Sequence, residues 1–148
     1  MPDFVIRAAK ESDWEGFYPF LIDLDKPLDS LELARQRFNN KINSSLHGVF
    51  VAELEGQIVG IAMAHEWDEY LMSGRKQIRF STLSVSPDYR KRGIGKALFE
   101  CTRDWAQSIG ATWFEWYASP SAVEFYRRLG LEGVICPDPE YPYFEIQF

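Results

Sequence analysis

The spacing of hydrophobic residues changes along the chain, and these changes predict an alternation of strands and helices. Apolar residues recur at helical spacing from Trp14 to Ile22, from Leu31 to Ile42 and from Ile94 to Ile109. Short apolar runs bounded by turn-forming or charged residues are typical of strands. Six such runs cover Phe4–Arg7, Val49–Glu53, Ile58–Ala64, Gln77–Val85, Thr112–Tyr117 and Tyr143–Phe148.

The order of these elements predicts the topology of the sheet. Glu55 and Gly56 supply hairpin chemistry between the second and third strands. A strand, a helix and a strand follow one another from Gln77 to Tyr117, which favours a right-handed crossover and one parallel pair. Ser119, with Pro120 behind it, can begin a last helix that Gly130 ends. We therefore expect an α/β fold with a mostly antiparallel sheet.

Length and composition narrow the class of protein. With 148 residues and 46% hydrophobic content, the chain is long enough for one domain, residues 1–148, with its own core. We expect no membrane segment and a cytoplasmic location, because no apolar run approaches about 18 residues and the N-terminus is charged. Cys101 and Cys136 lack metal-site spacing, so no metal is expected.

The formal net charge of −6 argues against a general nucleic-acid partner, but the charge is unevenly distributed. Residues 11–32 contain seven acids and one lysine, whereas residues 75–96 contain seven bases and one acid. Such a division suits a protein that binds one cationic and one anionic ligand. We accordingly expect a small cationic acceptor near the acidic segment, although a purely solubilising surface would explain the acids equally well.

A basic glycine loop, Arg90 to Gly95, joins the fourth strand to the longest helix. Gly93 and Gly95 allow close backbone approach, and the first amides of a helix have no intrahelical acceptor, so the loop favours a phosphate. It is not a dinucleotide fingerprint, because the third glycine is missing. It is not a nucleotide P-loop either, since Arg90 stands in place of glycine and Ala97 in place of Ser or Thr.

A second motif lies one helix and one strand downstream. Ala122 to Gly130 reads A-x-x-F-Y-x-x-x-G, and the loop reads R-x-x-G-x-G. Together and in this order, the two motifs resemble the GNAT superfamily of acyl-CoA-dependent N-acetyltransferases. The resemblance implies a mixed, mostly antiparallel sheet of six to seven strands with a splayed, parallel central pair and helices on both faces. It also implies transfer of an acetyl group from acetyl-CoA to a primary amine, by direct attack in a ternary complex.

The resemblance also implies roles for particular residues. The backbone at Leu83 and Val85 would contact the pantetheine arm and the thioester carbonyl, although both side chains could simply be core. Ser119 would face the cofactor where many members have Asn, and it could equally be a helix cap. Tyr126 would contact the cofactor and protonate the leaving thiolate, with a buried structural tyrosine as the alternative. The loop would bind the pyrophosphate through Arg90, Lys91, Arg92, Gly93, Ile94, Gly95 and Lys96.

Several points stay open at this level. An ammonium acceptor must lose a proton, and the candidate bases are Glu66, Asp68, Glu115, His65 or water. Two other functions remain: an acyl-CoA-binding sensor without turnover, which retention of Tyr126 argues against, and a transferase with a different acyl donor. The chain could also form a homodimer.

Overall fold

The computed structural model describes residues 3–22, 24–134, 142 and 144–148. The chain divides into two compact units, Met1–Trp116 and Tyr117–Phe148. The first unit contains a sheet in the order β1-β2-β3-β4-β5. Its strands are β1 (Val5–Ala8), β2 (His47–Leu54), β3 (Gln57–Glu69), β4 (Lys76–Val85) and β5 (Trp113–Glu115). Its helices are α1 (Trp14–Phe17), α2 (Pro19–Ile22), α3 (Leu31–Ile42) and α4 (Ile94–Ser108); the second unit contains α5 (Val123–Arg128).

The described sheet has five strands, so the expected count of six to seven is wrong for this part of the chain. The neighbours from β1 to β4 are antiparallel, and β4 pairs with β5 in parallel, so the parallel pair lies at an edge of the sheet and not at its centre. Residues 144–148 form no strand despite their alternating pattern, and Tyr143 lies outside the described residues. Phe144, Ile146 and Phe148 are exposed, because an alternating pattern forms a strand only where it pairs with a neighbour.

Other element boundaries also differ from the sequence-based expectation, and three of these differences shape the fold. The helix expected from Trp14 to Ile22 is interrupted, because Pro19 lacks the N–H that would continue the backbone ladder. β3 continues past Ala64 to Glu69, where the polar residues pair with β4. β5 ends at Glu115 and not at Tyr117.

Helices cover both faces of the sheet, as expected. On one face Phe17 of α1 and Phe38 of α3 belong to the same buried cluster as Val51 and Ile61. On the other face α4 packs so closely that a Cβ at Gly60 would lie 3.0 Å from Leu98 Cδ1. This contact holds the N-terminal half of α4 against β3, and the glycine loop that precedes α4 is thereby held beside the end of β4.

Candidate active site

A bulge bends β4 at the point where it separates from β5. Met63 of β3 pairs with Thr82 and Ala64 pairs with Phe80, which leaves Ser81 as an extra residue in β4. The Ser81 hydroxyl donates to the Met63 carbonyl at 3.2 Å. A bulge increases the local twist of a strand. The parallel pairing covers only β4 residues 77–79, so the edge of β4 beyond Arg79 forms no ladder with β5.

Leu83 and Val85 lie on this unpaired stretch. Leu83 pairs with Ala62 of β3, and Val85 pairs with Gly60 of β3. Because α4 packs over Gly60, the side chains of Leu83 and Val85 lie on the face that α4 covers. Both are half-buried, whereas Phe80, on the same face just before the bulge, is buried. The two residues are therefore less enclosed than the core role that the sequence left open for them would require.

The glycine loop continues directly from this strand. Arg90 Nε donates to the carbonyl of Val85 at 3.0 Å and ties the loop to the end of β4. Lys91 and Gly93 have φ of 63° and 85°, so the backbone turns through left-handed conformations into α4. The first helical hydrogen bond runs from Ala97 N–H to the Gly93 carbonyl, so the amides of residues 94–96 precede it. A Cβ added at Gly93 would meet no protein atom within 4 Å, so the space before the loop is open.

The cations of the loop are partly engaged within the chain. The Arg92 guanidinium lies 5.2 Å from the centre of the Tyr89 ring, and Lys96 Nζ lies 3.9 Å from Glu100. Contacts between such exposed groups are weak, about 0–1 kcal/mol, and an anion of higher charge would compete for these cations effectively.

A cavity of about 720 Å³ opens on the other face of the sheet, beneath α1, α2 and α3. Its lining reaches β4 at the bulge, through Ser81 and Thr82, and β3 through Met63. Twelve of the nineteen described lining residues are apolar, namely Trp14, Phe17, Tyr18, Leu21, Ile22, Leu24, Pro27, Leu28, Leu31, Ala34, Phe38 and Met63. The sequence analysis did not identify this cavity, because its residues come from five separate elements and no local spacing connects them.

Salt bridges engage part of the acidic segment. Arg37 donates through Nη1 and Nη2 to Asp29, both at 2.9 Å, and this pairing lowers the pKa of Asp29. Arg7 pairs in the same way with Asp13, at 2.7 and 2.8 Å, and lowers the pKa of that carboxyl. Asp23 lies outside the described residues. The segment therefore presents a weaker field to a cation than its composition indicates.

The candidate bases differ in their surroundings. Glu66 lies 3.4 Å from Lys76 Nζ, which also donates to the Ile109 carbonyl at the end of α4. Glu115 accepts from Arg79 at 2.9 Å, and Asp68 is exposed near the end of β3.

His65 lies on the cavity face of β3, two residues from Met63. It pairs with His47 of β2 on one side and with Arg79 of β4 on the other. Burial, and next the positive charge of Lys41 on α3, lower the pKa of His65, so the imidazole is neutral at pH 7. His65 lies on the cavity face of the sheet but outside the described cavity lining, and its neutral imidazole can accept a proton.

The second unit carries the other two predicted residues. Ser119 precedes a 3₁₀ turn, Pro120–Ala122, and its hydroxyl contacts that of Ser121 at 3.2 Å without capping a helix amide, so the predicted capping bond is not made. Tyr126 of α5 is half-buried, and burial raises the pKa of its phenol to about 12. The phenol is therefore protonated at neutral pH and can donate a hydrogen bond or a proton. The cofactor and catalytic roles of all these residues stay predictions.

No described helix has both the length and the apolarity that crossing a membrane requires. Within the described ranges, no three His, Cys, Asp or Glu side chains are grouped so that they could hold a metal ion. The cytoplasmic location stays a prediction.

Comparison with known proteins identifies the family of this chain. Residues 45–132 match the acetyltransferase (GNAT) domain model, and this range includes β2 to β5, the glycine loop and α5. The chain therefore belongs to the GNAT family of acetyltransferases.

Three individual relatives each share less than 30% sequence identity with this chain. A glucosamine 6-phosphate N-acetyltransferase of Trypanosoma brucei brucei is 28% identical over 133 residues, covering 88% of this chain and 90% of that protein. An uncharacterized N-acetyltransferase of Methanocaldococcus jannaschii is 28% identical over 138 residues, covering 87% of this chain but only 61% of its own length. An aminoglycoside N-acetyltransferase solved with CoA has a TM-score of 0.78 at 18% identity, covering 96% and 94% of the two chains, and shows the shared fold.

Proposed function

We propose that this chain transfers an acetyl group from acetyl-CoA to a primary amine of a small molecule. The observation that carries the proposal is the continuity of three features in one unit. The unpaired edge of β4 leads directly into the glycine loop, and the cavity opens at the bulge of the same strand. A thioester held along that edge, with its pyrophosphate at the loop, would face an amine in the cavity.

The residues present fit such a donor. The amides of residues 94–96 at the start of α4 would bind phosphate oxygens, supported by Lys96 and Arg92. The backbone beside Leu83 and Val85 would bond the amide groups of the pantetheine arm, much as an added strand does. An amide near Leu83 would also stabilise the oxyanion that forms when the amine nitrogen attacks the thioester carbonyl carbon, an effect typically worth about 3–4 kcal/mol.

Two side chains would move the protons. Tyr126 would donate its proton to the thiolate sulfur as the C–S bond breaks, and its pKa of about 12 keeps the phenol protonated for this step. His65, whose pKa is lowered by burial and next by the charge of Lys41, would accept through water the proton that the ammonium loses, since it lies outside the described cavity lining. The acetylated nitrogen loses its extra proton, which restores the Tyr126 phenol through water, and the products are the N-acetylated amine and the free thiol of CoA.

A binding measurement followed by a turnover measurement tests the proposal. Calorimetry should detect binding of acetyl-CoA and CoA but no comparable binding of ATP or NAD, because the loop lacks the P-loop and dinucleotide signatures. Release of CoA thiol should then be measured over a panel of primary amines, with acetyl-CoA, propionyl-CoA and succinyl-CoA as donors.

Each outcome has a clear interpretation. Equal affinity for ATP would refute the donor assignment. Tight binding of acetyl-CoA with no CoA release for any amine would favour the sensor function. Faster turnover with propionyl-CoA or succinyl-CoA would identify a transferase with a different acyl donor.

A further inference from the structure

The inner end of the cavity is a preformed aromatic surface. The Trp14 and Phe38 ring centres are 5.2 Å apart, and those of Phe17 and Phe38 are 4.8 Å apart. Trp14, Phe17 and Phe38 are each less than 8% exposed, so their packing holds the rings in place, and only a small part of each ring faces the cavity. Tyr18 extends the surface, with its ring 5.3 Å from that of Trp14. Such a surface favours a flat apolar group and offers few partners to a polyhydroxylated one.

The mouth of the cavity is apolar as well. Leu24, Leu28 and Leu31 line it and are 69%, 104% and 42% exposed. Single exposed leucines are common on protein surfaces, but three around one opening form an apolar patch that a ligand would cover favourably. Apolar side chains are therefore available at both ends of the cavity, although the same loop also places Asp25, Lys26 and Asp29 in the lining.

The charges of the lining disfavour a polycation. Asp29 and Arg37 satisfy each other through two hydrogen bonds, which leaves Asp25 with Lys26 and Lys41 among the described lining residues. The described lining thus holds two acids and three bases. A ligand with several ammonium groups would therefore meet more repulsion there than a ligand with one amine.

The polar side of the cavity lies at the bulge. Ser81 and Thr82 belong to the lining just beyond the stretch of β4 that pairs with β5, which is the point where the proposed thioester would face the cavity. An amphipathic ligand would therefore lie with its polar end toward β4 and its apolar body toward the aromatic surface.

We propose that the acceptor is a primary monoamine with an aromatic or similarly bulky apolar body, of the arylalkylamine class. This inference rests on the proposed function and specifies its substrate. The cavity volume of about 720 Å³ falls within the range of about 300–1,000 Å³ that is usual for small-molecule sites, so the whole amine can enter. Burial of one phenyl group contributes about 1.5–3 kcal/mol, which corresponds to a difference of roughly 10- to 150-fold.

The test compares kcat/KM for phenethylamine, ethylamine, spermidine and glucosamine 6-phosphate with acetyl-CoA as donor. Phenethylamine is expected to exceed ethylamine by the factor above and to exceed the other two amines. A higher kcat/KM for spermidine or glucosamine 6-phosphate than for phenethylamine would overturn this inference and leave the proposed function standing. Failure of every amine in the wider panel to release CoA would instead refute the proposed function itself.

Matched variants test whether the preference for phenethylamine over ethylamine arises in the cavity. Leu28→Ser should raise the KM for phenethylamine several-fold and leave that for ethylamine and acetyl-CoA unchanged. Leu71→Ser removes an equally exposed leucine that does not line the cavity, and it should change none of these constants. Ala34→Phe should fill part of the cavity and reduce kcat/KM for phenethylamine more than for ethylamine. Equal effects of the Leu28 and Leu71 variants, with no selectivity in Ala34→Phe, would refute the placement of the apolar body.

Discussion

Gly93 makes two contributions to the loop: it adopts a positive φ, and it leaves space for a ligand. Replacing it by alanine separates the two. Gly93 precedes α4 with φ of 85°, a conformation that costs an L-residue about 1–2 kcal/mol. The added methyl group would meet no protein atom within 4 Å. In the free protein, the variant should therefore lose only the stability that the strained backbone costs. A loss of CoA affinity must come from contact between the added methyl group and a ligand at the loop.

The expected magnitudes follow from these two observations. Alanine also restricts the unfolded chain, which offsets about 0.4–1 kcal/mol of the strain, so the net loss of stability is about 1 kcal/mol. For a chain of this length that loss lowers Tm by about 2–4 °C. A methyl group in front of the first amides of α4 should remove at least one hydrogen bond to a charged phosphate, worth about 1.5–3 kcal/mol, and raise the Kd for CoA by about 10- to 150-fold.

Gly74→Ala is the matched control. Gly74 has φ of 68° in the turn between β3 and β4, and an added Cβ there also meets nothing within 4 Å. Both variants should show a similar fall in Tm by thermal denaturation, but only Gly93→Ala should weaken CoA binding by calorimetry. Unchanged CoA affinity in Gly93→Ala, or an equal loss in Gly74→Ala, would refute the assignment of the loop as the phosphate site.

The remaining predictions concern single side chains. Tyr126→Phe should keep the affinity for acetyl-CoA and lower kcat by about 10²–10⁴-fold in a CoA-release assay; an unchanged kcat would make Tyr126 a structural residue. Lys96→Ala should weaken acetyl-CoA binding modestly at low salt, and calorimetry near 1 M salt should find little difference, because an exposed cation is screened. His47 and His65 both have lowered pKa values in the folded state, so the unfolded state binds more protons and stability should fall as pH drops through about 6.5. The double variant His47→Gln/His65→Gln should show a shallower decline of Tm. In pH–rate profiles, His65→Gln should lose the acidic limb that His47→Gln retains; loss of that limb in both variants would contradict a specific role for His65.

Local sequence was enough to predict the family and the position of the loop. The requirement for glycine at a positive φ before α4 is local, as is the helical pattern from Ile94, so R-x-x-G-x-G could be interpreted without knowledge of the rest of the fold. The hairpin at Glu55 and Gly56 was predictable for the same reason, since both residues have positive φ. The start of α3 is local as well, because the hydroxyl of Ser30, directly before the helical pattern, accepts from the Leu33 amide at 3.1 Å.

Properties that depend on pairing between distant segments were not predictable. The extra residue at Ser81 exists only in the register between β3 and β4, and no feature of residues 77–85 distinguishes a bulged strand from a regular one. Residues 144–148 have the pattern of a strand but form none in the described sheet, because a strand requires a partner that the pattern cannot specify.

The acidic segment and the cavity beside it show most clearly what sequence determines and what only tertiary structure decides. The sequence determined that seven acids lie between residues 11 and 32, but the tertiary structure decided that Arg37 neutralises Asp29 and that Arg7 neutralises Asp13. It also brought Trp14, Phe38 and Thr82 together around one cavity. Composition counts charges, whereas the field that a ligand meets depends on distances between groups, and packing alone sets those distances.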